Sequence, residues 1–151
     1  MDFDFQSFLP QLYPIGQVLA AIILGGIIGW QRGIRGKDAG TRTYALVTAG
    51  STLFTVLSVL AFDKDPARIA AQVITGIGFL GAGVILHRED RTIGLTTAAG
   101  LWISAAIGMA IGLGFYLMAV IVSILVLIVF VIDDNRWVKI HSHDLPPDKK
   151  I

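Results

Sequence analysis

Five stretches of this chain, residues 12–30, 43–62, 69–86, 95–113 and 115–132, contain no Asp, Glu, Lys or Arg, and each is 18 to 20 residues long. A helix rises about 1.5 Å per residue and the hydrocarbon core of a bilayer is about 30 Å thick, so roughly 20 apolar residues are needed to cross it. A charge in mid-span costs about 3 kcal/mol, while each Leu or Ile contributes about half a kcal/mol towards insertion, so charge-free runs of this length insert. The last two runs need a division. Residues 95–132 are free of charge throughout, yet as one helix they would span about 57 Å, which predicts a hairpin at Gly112, Leu113 and Gly114. The expected fold class is therefore all-α, a polytopic membrane protein of five transmembrane helices. It divides into a membrane domain over residues 1–132 and a short tail over 133–151.

Composition narrows the function classes. The 151 residues are 54% hydrophobic and 15% charged, too apolar for an ordinary soluble domain. The formal net charge is +1 and the basic residues cluster at span ends, which argues against a nucleic-acid partner. Cysteine is absent, so disulfides, thiol catalysis and cysteine metal sites are excluded. Asp2 and Asp4 stand where a cleavable leader would be basic, so the first apolar run is expected to be retained.

Loop charges predict the orientation. The first connection carries Arg32, Arg35, Lys37 and Arg42, the third Arg88 and Arg91, and the tail Arg136, Lys139, Lys149 and Lys150. The N-terminus and fourth connection carry no positive side chain, and Lys64 and Arg68 in the second are offset by Asp63 and Asp65. The positive-inside rule then places the N-terminus outside and the C-terminus in the cytoplasm of a bacterial inner membrane. Trp30 and Trp137 fall near the cytoplasmic interface.

In lipid, helices associate through close packing of small residues and interhelical hydrogen bonds. Gly25 and Gly29 mark such a face on the first span, Gly76, Gly78, Gly81 and Gly83 on the third, and Thr96, Gly100, Ser104, Gly108 and Gly112 on the fourth. The expectation is a tight inner group of spans one, three and four, with the Val-, Ile- and Leu-rich fifth span facing lipid or a partner. Arg68, Gln72, Thr75 and Phe79 share one face of span three, and Ser51, Thr55 and Ser58 one face of span two. Such residues pack against a neighbouring helix, or else line a polar path around Gln72.

The spans hold no carboxylate, histidine or lysine, which weakens a reading as an ion-coupled carrier. A Gly-x-x-x-x-Gly-Lys-Ser/Thr loop is lacking, so ATP-driven pumping is excluded for this chain alone. A membrane enzyme would need a nucleophile or base at depth, and none is evident. Two weak metal candidates remain, His141 with His143 in the tail and Asp63 with Asp65, whose oxygens suit magnesium. The loop over residues 29–43, with four positive side chains and several glycines, serves topology and attraction to anionic lipid, or docks another protein.

Four blocks carry a family resemblance. They are Gly25 to Arg32 with Gly36; Ala39-Gly40-Thr41-Arg42-Thr43 running into Leu46-Val47; Arg68 to Ile85; and Gly94 to Gly108. In order and spacing they resemble the MgtC/SapB family of bacterial inner-membrane proteins. This chain differs in having Gln31 where members typically have Glu, and Thr96 and Ile103 where some have Asn and Cys. Only 19 residues follow Ile132, so the expectation is the transmembrane domain without the soluble C-terminal domain that many members append. The resemblance implies a role in low-magnesium adaptation and, in pathogens, virulence, through regulation of membrane machines such as the F-type ATP synthase. The sequence reading is a non-enzymatic regulator and homo-oligomer, with Arg32, Arg42, Arg68, Gln72 and Trp102 as its contact residues and no cofactor beyond a weakly indicated Mg2+. The alternative is a small oligomeric cation channel or carrier with Gln72, Thr75 and Thr96 along a path between protomers.

Overall fold

The computed structural model describes residues 9–61, 67–88 and 91–143, with side chains over 12–61, 67–87 and 92–132. Five helices follow in order, α1 (Leu9–Ile34), α2 (Thr41–Ala61), α3 (Ala67–Gly83), α4 (Leu95–Gly112) and α5 (Tyr116–His143). Three of them, α1 from Leu12, α2 and α4, are long and apolar enough to cross a membrane. The 17 residues of α3 and the apolar stretch Tyr116–Ile132 of α5 lie at the short end of the roughly 17 to 25 residues a crossing takes.

The long charge-free run of residues 95–132 is broken as its glycines require. Gly114, at φ 82°, closes α4 by donating to the Ile111 carbonyl at 2.9 Å, and Phe115 donates to the Ala110 carbonyl at 2.8 Å. This paired capping satisfies carbonyls that the helix end would otherwise leave open, and reverses the chain into α5. The same device ends α1, where Gly36 N–H donates to Gly33 at 3.0 Å and Lys37 N–H to Arg32 at 3.1 Å.

Two expectations need correction. The third span was expected to reach residue 86, but α3 ends at Gly83 and the chain enters an antiparallel hairpin of β1 (Leu86–Arg88) and β2 (Arg91–Ile93), with Leu86 opposite Ile93 and His87 opposite Thr92. Gly94, at φ 89°, brings its backbone so close to Val84 that any Cβ would collide with the Val84 carbonyl. That approach folds the hairpin back on the end of α3, and an apolar run does not reveal it because strand and helix ends are equally apolar.

The second correction concerns the inner group, which is α1, α2 and α4 rather than spans one, three and four. Eight residues of α2 and ten of α4 are buried, against Ile77 and Gly81 alone on α3. A Cβ on Gly29 would lie 2.6 Å from the Gly40 carbonyl oxygen, one on Gly25 2.7 Å from that of Tyr44, and one on Gly112 2.7 Å from Thr55 Cβ. Facing them on α2 are threonines, Thr48 at Gly25 and Thr52 and Thr55 at Gly112.

Those hydroxyls do not need water. Thr48 donates to the Tyr44 carbonyl at 2.9 Å and Thr55 to Ser51 at 2.8 Å, each back along its own helix. Thr52 donates across the interface to the Gly108 carbonyl at 2.7 Å. Gln17 on α1, also buried, donates to the Ile111 and Gly112 carbonyls at 2.7 and 3.1 Å, at a helix end where carbonyls lack intrahelical donors. On α5, Ala119, Ser123 and Phe130 are buried, while Leu117 and Val129 are exposed. The apolar exterior is what a lipid-facing surface requires and what a water-facing surface avoids.

Candidate functional site

At the end of the bundle where α1 finishes and α2 and α4 begin, one charged side chain is drawn inward. Arg32, in the last turn of α1, is 1% exposed. Its guanidinium carbon lies 4.2 Å from the centroid of the Phe130 ring on α5, and its charge is near enough to Tyr44 on α2 to interact with it electrostatically. A desolvated arginine over an aromatic face gains about 2 kcal/mol. Tyr44, fully buried, donates in turn to the Thr97 carbonyl at the start of α4, at 3.5 Å. Gly100 makes this assembly possible, since a Cβ there would strike the Tyr44 hydroxyl and lie 2.7 Å from Phe130 Cζ.

Outward from this cluster opens a cavity of about 550 Å³. One wall is the end of α1 and its connection, with Arg32, Gly36, Lys37 and Asp38; the other is the end of β2 and the first turn of α4, with Thr92, Gly94, Thr96 and Thr97. Roughly half of its lining is polar, unlike the apolar groove of about 410 Å³ between α2 and α3.

The residues singled out in the sequence are distributed unevenly about this site. Arg32 and Thr96 line it. Arg42 is exposed in the first turn of α2 and Arg68 in the first turn of α3. Gln72 lines the separate groove between α2 and α3, so Gln72 and Thr96 open into different spaces of one protomer. Thr75 donates to the Ala71 carbonyl of its own helix at 3.2 Å, and Trp102 is half-exposed beside Ile74 and Ile77. Among the glycines, Gly25, Gly29, Gly100 and Gly108 sit at close helix contacts, and Gly81 makes ordinary contact with Ala98. Gly76, Gly78 and Gly83 have nothing within 4 Å of a Cβ position, so they carry no helix contact among the described residues. Ser104 is fully buried in α4. Asp63 and Asp65 lie outside the described residues, as do the side chains of His141 and His143; among the described residues no group of three or more His, Cys, Asp or Glu is placed to hold a metal ion.

Tyr44, Phe130, Thr97 and Gln17 were not singled out in the sequence. Phe130 did carry a signal, as the sole aromatic in residues 117–132.

The arrangement sits within sequence blocks shared with known proteins. The family model described as the MgtC family matches residues 18–135. The chain belongs to the MgtC family. It is similar to the protein named "Putative magnesium transporter YhiD" of Escherichia coli (strain K12), 50% identical over 121 residues that cover 74% of this chain and 56% of that protein. Protein MgtC of Salmonella typhimurium (strain LT2) is 47% identical over 110 residues, covering 73% of this chain and 48% of its own length. A Haemophilus influenzae protein is 42% identical over 135 residues, covering 81% and 57%. The chain thus spans about half the length of the curated relatives it matches. No solved structure gives a significant match. Membership of the MgtC family and the apolar helices make this a multi-pass protein of the bacterial inner membrane.

Proposed function

We propose that this MgtC-family chain is a non-enzymatic regulator linked to magnesium homeostasis, which acts by helix contact with membrane partners. The observation that carries the reading is the contrast between a closed interior and an open α3. Glycines and hydroxyls lock α1, α2 and α4 together, while Gln72, Thr75 and Phe79 on α3 face outward, Phe79 being 82% exposed. A polar amide on the rim of an apolar bundle is better placed against another protein than against lipid tails. The printed name of the Escherichia coli relative connects the reading to magnesium. The F-type ATP synthase is a candidate partner and a second copy of this chain another. Low-magnesium adaptation and virulence are the physiological settings that fit, with Arg42, Arg68 and Trp102 as further contact residues. In the orientation that the loop charges favour, the N-terminus lies outside and the Arg32 cavity faces the cytoplasm.

The second reading is a small oligomeric channel or carrier for magnesium or another cation, with Gln72, Thr75 and Thr96 along a path between protomers. Purified protein in liposomes loaded with a magnesium indicator separates the two. The regulator reading expects no flux above protein-free vesicles; selective magnesium flux abolished by Gln72→Leu overturns it.

A further inference from the structure

We propose that the groove between α2 and α3 binds a lipid-soluble quinone, a flat ring with carbonyl oxygens on opposite edges and a hydrocarbon tail. The inference does not rest on the regulatory reading above. Two polar side chains carry it, one on each wall. Ser51 on α2, 5% exposed, and Gln72 on α3 both border the volume of about 410 Å³, and neither the hydroxyl nor the amide has a hydrogen-bond partner among the described residues. The neighbouring hydroxyls of Thr48, Thr52 and Thr55 all have one.

An unpartnered hydrogen-bonding group is costly in hydrocarbon, where no water replaces the missing partner. Depth limits what can satisfy these two. Ser51 stands midway along α2 (Thr41–Ala61), about 15 Å from either end, and Gln72 lies about 7 Å into α3 (Ala67–Gly83). Phospholipid ester carbonyls stay at the margin of a hydrocarbon core about 30 Å thick, so they do not come to Ser51. The described lining holds no Lys, Arg or His, which would leave a phosphate or carboxylate uncompensated at that depth. A neutral, mostly hydrocarbon molecule with acceptors turned to both walls meets the requirement. The Ser51 hydroxyl donates to one quinone carbonyl and the Gln72 amide to the other. Gln72 keeps a second N–H and its own carbonyl for a protein at the rim, and Phe79 is not on the lining. Phe54, on the α2 wall, offers a ring for the quinone to pack against. Gly50 and Gly76 keep the space open, since a Cβ at either meets nothing within 4 Å. The volume falls in the range of about 300 to 1,000 Å³ that small-molecule sites occupy. Binding alone is assigned, because no titratable side chain on the described lining could exchange a proton.

The test uses the full chain in lipid nanodiscs and titrates decylubiquinone, measuring bound quinone against protein-free discs and the thermal unfolding of the protein. Decylbenzene, with the same tail and a ring without carbonyls, is the control. The expected result is saturable binding of the quinone near one per chain, a raised unfolding temperature, and neither effect with decylbenzene. Gln72→Leu is expected to weaken the binding about tenfold, and Ser51→Ala to weaken it in the same direction. Gly76→Leu places a side chain in the open groove and is expected to abolish binding; its unfolding without ligand checks that it folds, and Gln72→Leu, at an exposed position, carries the test if it does not. Leu117→Ala, on the exposed face of α5, should leave binding within about twofold. Quinone uptake no greater than that of protein-free discs overturns the proposal. So does equal binding of decylbenzene, or binding undiminished in Gln72→Leu and in a folded Gly76→Leu, since either would place the molecule elsewhere on the apolar surface.

Discussion

A guanidinium removed from water at the end of a membrane helix must be compensated where it lies, and at Arg32 an aromatic ring and a phenol do part of that work. The Arg32 and Phe130 side chains are expected to be coupled. A double-mutant cycle of Arg32→Met and Phe130→Leu, read by thermal unfolding in detergent, should give a coupling of about 1 to 2 kcal/mol; additive losses would show that the ring only fills space. Gly100 supplies a second prediction. A methyl group at this position meets the Tyr44 hydroxyl and Phe130, so Gly100→Ala should destabilise the bundle by about 1 to 3 kcal/mol. Gly76→Ala, in open space, should leave unfolding unchanged. This residue-level geometry was legible in the sequence only in part. Arg32 and Gly100 stood out by type and position, but their joint role depends on Tyr44 and Phe130, which lie 12 and 98 positions from Arg32 and are linked to it only by the fold.

Among the elements, α2 shows how threonine can serve as a small residue. Its hydroxyls bond to carbonyls one turn back, which hides their polarity and lets neighbouring backbone approach. Thr52 reaches further, to Gly108, and Thr52→Val, which keeps the shape and removes the donor, should cost about 1 kcal/mol or less. Unfolding of the purified protein checks this, and no change would mean that the Gly108 carbonyl finds another partner. Reading the serines and threonines of span two as polar marks, while counting the glycines of span three as packing marks, is what placed span three, rather than span two, in the inner group. The five apolar elements themselves were plain from charge alone, and so was the α4–α5 turn at Gly112 and Gly114. The β-hairpin after α3 was not, because the contact between Gly94 and Val84 that folds it back is tertiary.

On the scale of the whole molecule, the bundle has a closed centre and two outer helices, α3 and α5, that bury few of their described side chains. In the orientation proposed from loop charge, reporter fusions after Arg35 and after Lys150 should both report the cytoplasm; both reporting the outside would reverse the placement of the Arg32 cavity, and opposite sides would contradict five crossings. The claim on which the functional account turns is that α3 meets another protein. Photo-crosslinking amino acids placed at Gln72 and Phe79, and as a control at Leu117 on the exposed face of α5, would be activated in living cells and the adducts identified by mass spectrometry. The account predicts one and the same protein, whether a second copy of this chain or a subunit of another membrane complex, at both α3 positions and not at Leu117. Adducts with lipid alone at Gln72 and Phe79 would contradict it.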